Sequence, residues 1–145
     1  MYIILDINIT KFLFMKKILI IGSNSFAGSD FTDFLLSKNF KVFGVSRNKE
    51  INKEHLRYKK NKQLNNFKYY KINLNFKNDI NKLVKIIKKN KIDNVINFAA
   101  QGMVAESWIN PEDWYNTNVV SNSILIKELS KLKLKKYINF STPEV

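Results

Sequence analysis

The chain has 145 residues, 45% of them hydrophobic, which is enough for one domain with its own core. Its formal charge of +13 comes from lysines spread along the chain among asparagine and isoleucine, so a nucleic-acid partner is not expected; the surplus suits an anionic ligand such as a phosphorylated cofactor. With no cysteine and a single histidine, His55, the sequence excludes disulfide frameworks, thiolate metal sites and multi-histidine metal sites. No apolar run approaches the roughly 18 residues of a membrane span, so no membrane partner is expected either.

The first segment, "MYIILDINITKFLF", carries Asp6 and Lys11 inside its apolar stretch and no basic region ahead of it, so it makes a poor signal peptide. Residues 1–14 are expected to be a short extension ahead of a domain that begins at Met15, with an extra edge strand as the structural alternative. The next segment, "KKILIIGSNSFAGSDF", sets the theme. Ile18, Leu19, Ile20 and Ile21 show no polar alternation and predict a strand buried on both faces. Phe31, Phe34 and Leu35 recur at helical spacing and predict a helix after Gly28. Gly22 and Gly28 then straddle a tight strand-to-helix turn, where nucleotide phosphates usually sit.

Residues 41–47 predict a second strand, and the polar stretch 48–66 a loop with one helical turn. "FKYYKINL" predicts a third strand, followed by a helix over 79–90 with Ile80, Leu83, Ile86 and Ile87 on one face. "DNVINFAA" predicts a fourth strand. Pro111 suits the first turn of a long helix carrying Val119, Ile124, Leu125 and Leu129 inward, and "KKYINFS" predicts a fifth strand. Strands alternating with helices at this spacing imply an α/β fold, a Rossmann-type doubly wound parallel sheet.

The glycine turn matches G-x-x-G-x-x-G at its outer positions, with Ser25 in the middle. Together with "NFAAQGMVAESW", "PEDWYNTNV" and "STPEV", it makes the chain from Lys16 onward resemble the extended short-chain dehydrogenase/reductases, the NAD-dependent epimerase/dehydratase family. Within that family it is most similar to the nucleotide-sugar 4,6-dehydratases, the GDP-mannose 4,6-dehydratase branch in particular. The resemblance implies a nucleotide-sugar substrate, a nicotinamide dinucleotide cofactor, a cytoplasmic location and, for the whole enzyme, a homo-oligomer. It assigns cofactor contacts to Gly22, Ser23, Asn24, Ser25, Phe26, Ala27 and Gly28 in the turn, to Arg47 after the second strand, and to Asn73 and Leu74 after the third. Phe98, Ala99, Ala100 and Gln101 after the fourth strand, and Asn118, complete that set.

By the same resemblance Thr142 bonds the sugar 4-hydroxyl beside a catalytic tyrosine, and Glu144 removes the C5 proton so that water can leave C6. A carboxylate base at C5 separates a dehydratase from a simple epimerase. No metal site is expected. Where NAD-preferring members place Asp or Glu after the second strand, this chain reads Val45-Ser46-Arg47-Asn48, so NADP is expected ahead of NAD.

The sequence departs from the family at several positions. Ser25 stands for the middle glycine, Met103 for a histidine of the GDP-mannose enzymes, and Pro143 for the aspartate that dTDP-glucose dehydratases use as an acid. Asn73 and Asn75 stand where aspartates are frequent. The family's Tyr-x-x-x-Lys does not follow the fifth strand within these residues. The match at Tyr58 and Lys62 lies between the second and third strands, on the wrong side of the cofactor, and is rejected. Residues 15–145 are therefore expected to be the NAD(P)-binding part of an enzyme and inactive alone. A 4-epimerase or reductase of the same family, or a non-catalytic dinucleotide-binding module, are the alternatives.

Overall fold

A computed structural model describes residues 17–51 and 54–141. The strands are β1 (Lys17–Ile21), β2 (Lys41–Ser46), β3 (Phe67–Lys71), β4 (Asn94–Asn97) and β5 (Lys136–Asn139). They form one parallel sheet in the order β3-β2-β1-β4-β5. The helices are α1 (Phe26–Ser37), α2 (Lys77–Asn90), the short α3 (Val104–Ser107) and α4 (Pro111–Trp114), and α5 (Ser121–Leu129). The expected doubly wound sheet is what forms.

The alternation of β1 side chains divides the core. Ile18 and Ile20 join Leu35 and Leu36 of α1 on one face. Leu19 and Ile21 meet Ile80, Leu83 and Ile87 of α2, with Leu125 and Leu129 of α5, on the other. The four residues from Ile18 to Ile21 are at most 2% exposed, as a central strand covered on both faces requires.

Several expectations change in detail. Helix α1 begins at Phe26, ahead of Gly28, because Ser25 caps it: the Gly28 amide donates to Ser25 Oγ at 3.1 Å. The inward face is then set by Thr32, Leu35 and Leu36, and Phe34 is exposed. The polar stretch 48–66 is more than a surface loop. It makes two 3₁₀ turns, Arg57–Lys60 and Leu64–Asn66, and buries Leu56 and Tyr58 completely against the α1 side of the sheet.

The helix expected to run unbroken from Pro111 is interrupted by a π-helical segment, Tyr115–Val120, between α4 and α5. The wider turn shifts the phase of the side chains, so Val119 points to solvent while Leu125 and Leu129 stay inward. Strands β3, β4 and β5 are shorter than expected; the residues that follow β3 and β4 leave the sheet and line the site. His55 is exposed, as expected of a residue in a lysine-rich stretch. The extension 1–14 lies outside the described residues. Among the described residues no helix is long and apolar enough to cross a membrane.

Candidate functional site

Strand order reverses at β1, where β2 lies on one side and β4 on the other. In open α/β sheets the crevice at such a point, outside the carboxyl ends of the strands, is where ligands bind. A cleft of about 280 Å³ lies there, lined among the described residues from the ends of β1, β2, β3 and β4. Ile21 and Gly22 come from β1, Ser46, Arg47 and Asn48 from β2, and Ile72 through Asn75 from β3. Phe98 to Gln101 come from β4 and Thr117 from the π-helical segment.

Gly22 shapes the floor. Its φ of 80° is backbone that L side chains rarely adopt, and its amide donates to the Val45 carbonyl at 2.8 Å. A Cβ there would stand 2.8 Å from the Ala99 nitrogen, so only glycine lets the turn nest against the loop after β4. Gly28 is placed equally tightly, since a Cβ on it would run into the Gly22 carbonyl oxygen. The two glycines thus let α1 begin directly against the end of β1.

The start of α1 offers donors. The Gly28 and Ser29 amides are taken by Ser25, through its Oγ and its carbonyl. The Phe26 and Ala27 amides donate to no protein acceptor among the described residues, as expected of the first helical turn. With the positive end of the helix dipole they suit an anion. Ser25 Oγ, which stands where the family has glycine, is engaged as the cap. Among the described residues Arg47 is the one charged side chain in the lining, and no carboxylate lines the cleft.

The walls are held by amide side chains. Asn97, buried at the end of β4, donates through Nδ2 to Asn122 Oδ1 at 3.0 Å and Asn139 Oδ1 at 2.8 Å, and accepts the Ala99 amide at 3.0 Å. Tyr137 OH lies 3.4 Å from the same Nδ2, and burial pushes its phenol pKa up, so it stays neutral. Asn118 closes a two-bond clamp on Gln101: its Oδ1 accepts the Gln101 amide at 2.8 Å and its Nδ2 donates to the Gln101 carbonyl at 3.0 Å. On the β3 side, Asp79 in the first turn of α2 accepts the Asn73 amide at 2.9 Å. That bond, and then Lys82, hold its carboxyl below the usual carboxylate value.

Of the expected cofactor residues, the fold gathers Gly22, Asn24, Ser25, Arg47, Asn73, Leu74, Phe98, Ala99, Ala100 and Gln101 around one cleft. Ser23 is fully buried beneath it, Gly28 packs against Gly22, Asn118 acts on Gln101 from behind, and Phe26 and Ala27 project outward at the start of α1. Thr142 and Glu144 lie outside the described residues. Ile21, Ser46, Asn48, Ile72, Asn75 and Thr117 also line the cleft without having been assigned to it. Ile21, Ser46 and Ile72 could have been found as the last residues of β1 and β2 and the first after β3. Thr117 carries no such signal, because its position depends on the π-helical turn.

The parallel sheet, its switch-point cleft and the glycine turn define a Rossmann-type domain of the extended short-chain dehydrogenase/reductases. The chain belongs to the GDP-mannose 4,6 dehydratase family, whose model matches residues 19–145. It is 36% identical over 141 residues to a dTDP-D-glucose 4,6-dehydratase of Dictyostelium discoideum, covering 92% of this chain and 30% of that one. Among solved structures, UDP-glucose 4-epimerase from Bifidobacterium longum in complex with NAD+ and UDP superposes with a TM-score of 0.73 at 27% identity, over 89% of this chain and 38% of that one. A UDP-glucose-4-epimerase from Stenotrophomonas maltophila with bound NAD gives 0.74 at 18% identity, over 90% and 38%, a likeness of fold. The chain thus spans about a third of the length of these relatives.

Proposed function

We propose that this chain forms the cofactor-binding part of a nucleotide-sugar 4,6-dehydratase and takes NADP ahead of NAD. The observation that carries the reading is the charge of the cleft: a guanidinium and two free helix amides, with no carboxylate in the lining among the described residues, on a chain of the GDP-mannose 4,6 dehydratase family. The NAD carried by the epimerase neighbours supports a dinucleotide of the same class.

The Phe26 and Ala27 amides would receive the diphosphate. Arg47 would grip a 2′-phosphate, with the planar fork that suits such a group. Asn73, Leu74 and Asn75 would border the adenine, and Phe98 to Gln101 would run along the remainder, with Asn118 holding Gln101 in place. When bound in this cleft, such a cofactor would supply hydride chemistry, with oxidation at sugar C4 and reduction at C6. Thr142 orients the sugar through its 4-hydroxyl. Glu144 takes the C5 proton, and water leaves C6. Loss of the C4 hydroxyl proton needs a base that Thr142, with its high pKa, cannot be. No Tyr-x-x-x-Lys follows β5 within these 145 residues, so the chain alone binds cofactor weakly and turns over nothing.

The test assays this chain, and a version extended through the reading frame beyond Val145, with NADP and GDP- or dTDP-linked hexoses. A 4-keto-6-deoxy product from the extended protein only, abolished by Glu144→Gln, is the expected result. Turnover by the 145-residue chain would overturn the inactivity, and failure of the chain to bind either dinucleotide would overturn the whole reading. The epimerase neighbours favour a second reading, 4-epimerisation. It predicts a product that keeps its 6-hydroxyl and an activity indifferent to Glu144→Gln.

A further inference from the structure

The first acidic side chain after β2 is Glu50, three residues beyond Arg47. Glu50 does not line the cleft, and the contacts around it explain why. Tyr58 OH donates to Glu50 Oε1 at 2.9 Å, and Lys59 Nζ forms an ion pair with the same oxygen at 2.8 Å. Tyr58 is fully buried, and both burial and the neighbouring carboxylate push its pKa up, so the phenol remains a donor. The same hydroxyl lies 3.3 Å from Asn24 Oδ1, and Asn24 does line the cleft. Glu50 is therefore linked to the ligand space through Tyr58 and Asn24 and held back from it.

The rest of this turn is fastened as well. The Asn24 amide donates to Ser46 Oγ at 3.0 Å, and Asn24 Nδ2 donates to the Lys49 carbonyl at 3.2 Å. Tyr69 OH donates to the Asn48 carbonyl. Arg47, by contrast, forms no ion pair among the described residues. Glu50 is paired with Lys59, and of the two basic residues of the turn, Arg47 and Lys49, Arg47 is the one that lines the cleft.

We propose that Tyr58 and Lys59 are positioning residues for cofactor selection. By tying the Glu50 carboxylate down, they leave Arg47 as the uncompensated charge at the adenosine end, which favours a ribose carrying a 2′-phosphate over one carrying free hydroxyls. This rests on the dinucleotide reading above. It assigns a role to the Tyr58 that sequence reasoning set aside as a chance motif: this tyrosine acts on Glu50 and does no proton chemistry on substrate.

Released, Glu50 would repel a 2′-phosphate and could accept bonds from ribose hydroxyls, as an acidic residue after β2 does in NAD-binding sites. The test measures Kd for NADPH and NADH by nicotinamide fluorescence, on the full 145-residue chain. Variants are Tyr58→Phe, Tyr58→Phe with Lys59→Met, and that pair with Glu50→Gln. The double variant should lower the NADPH/NADH preference about tenfold, the size expected for one newly exposed like charge near a phosphate. Adding Glu50→Gln should restore the preference. A merely structural role predicts equal losses for both ligands and no restoration, and that result overturns the proposal. Tyr58→Phe alone retains the ring, so it keeps the test readable should the double variant lose its fold; a preference unchanged in Tyr58→Phe and in every folded variant also overturns it. Wild-type chain that binds neither dinucleotide removes the cofactor reading itself, which is a different failure from an unaltered preference.

Discussion

Gly22→Ala perturbs the fold and the site at one atom. At φ 80° an alanine would sit in left-handed backbone, at a cost of about 1–2 kcal/mol. Its Cβ would stand 2.8 Å from the Ala99 nitrogen, 2.9 Å from the Phe98 carbonyl carbon and 3.2 Å from the Ala99 Cα. All three are backbone atoms, so no side chain can swing aside. Pushing the loop after β4 away adds about 1–3 kcal/mol, the usual cost of overpacking. The smaller conformational freedom of the unfolded alanine chain offsets about 0.4–1 kcal/mol. The net is a loss of about 2–4 kcal/mol, or a melting temperature lower by roughly 5–15 °C for a domain of this size. Thermal unfolding by circular dichroism reads it directly, with Gly102→Ala as the control, because a Cβ at Gly102 would meet nothing within 4 Å. If Gly22→Ala melted within about 2 °C of the wild type while Gly102→Ala did the same, the close approach of the two loops would be refuted.

Arg47→Ala should weaken NADPH binding and leave NADH binding nearly unchanged in fluorescence titrations; equal losses for both would detach Arg47 from the 2′-phosphate. Asp79→Asn should destabilise the protein at neutral pH. Because the folded-state pKa of Asp79 lies below its ordinary value, its contribution is full above about pH 4 and is lost as pH falls through the folded value, so the gap between variant and wild type in urea midpoints should close in acid. Asn97→Asp places a carboxylate against the Asn122 and Asn139 carbonyl oxygens, which both now accept from the Asn97 amide. It should cost at least about 2 kcal/mol at pH 7 and less as pH falls and the carboxyl protonates; equal stability at pH 7 would show that the amide ladder holds nothing.

The fold was legible where one physical signal dominated. Ile18 to Ile21 could be read as a central strand because no polar residue interrupts them, and burial on both faces leaves a sequence no other pattern to show. Ile80, Leu83 and Ile87 could be read because a half-buried helix must repeat its apolar residues at 3.6. The stretch around Tyr58 could not be read this way. Leu56 and Tyr58 are surrounded by lysine, asparagine and glutamate, and a window average cannot reveal two residues that fill a gap beside α1. Val119 failed for a different reason: helical periodicity assumes a constant turn, and a π-helical segment changes the phase without changing composition.

The site divides along the same line. Residues placed by the backbone, such as Gly22 after β1 and Phe98 to Gln101 after β4, follow from strand order alone, because parallel strands must end on one side. Residues that tune the site act through partners distant in sequence. Asn118 reaches Gln101 across 17 positions, Asn97 reaches Asn139 across 42, and Asn24 meets Tyr69 across 45. An asparagine amide offers a donor and an acceptor without titrating, so each of these bonds can hold a wall of the cleft at any pH at which the fold survives. In a linear reading the same residues are indistinguishable from the many asparagines exposed on the surface. What separates them is a bonding partner far away in sequence, and the sheet supplies such partners only after the strands have paired.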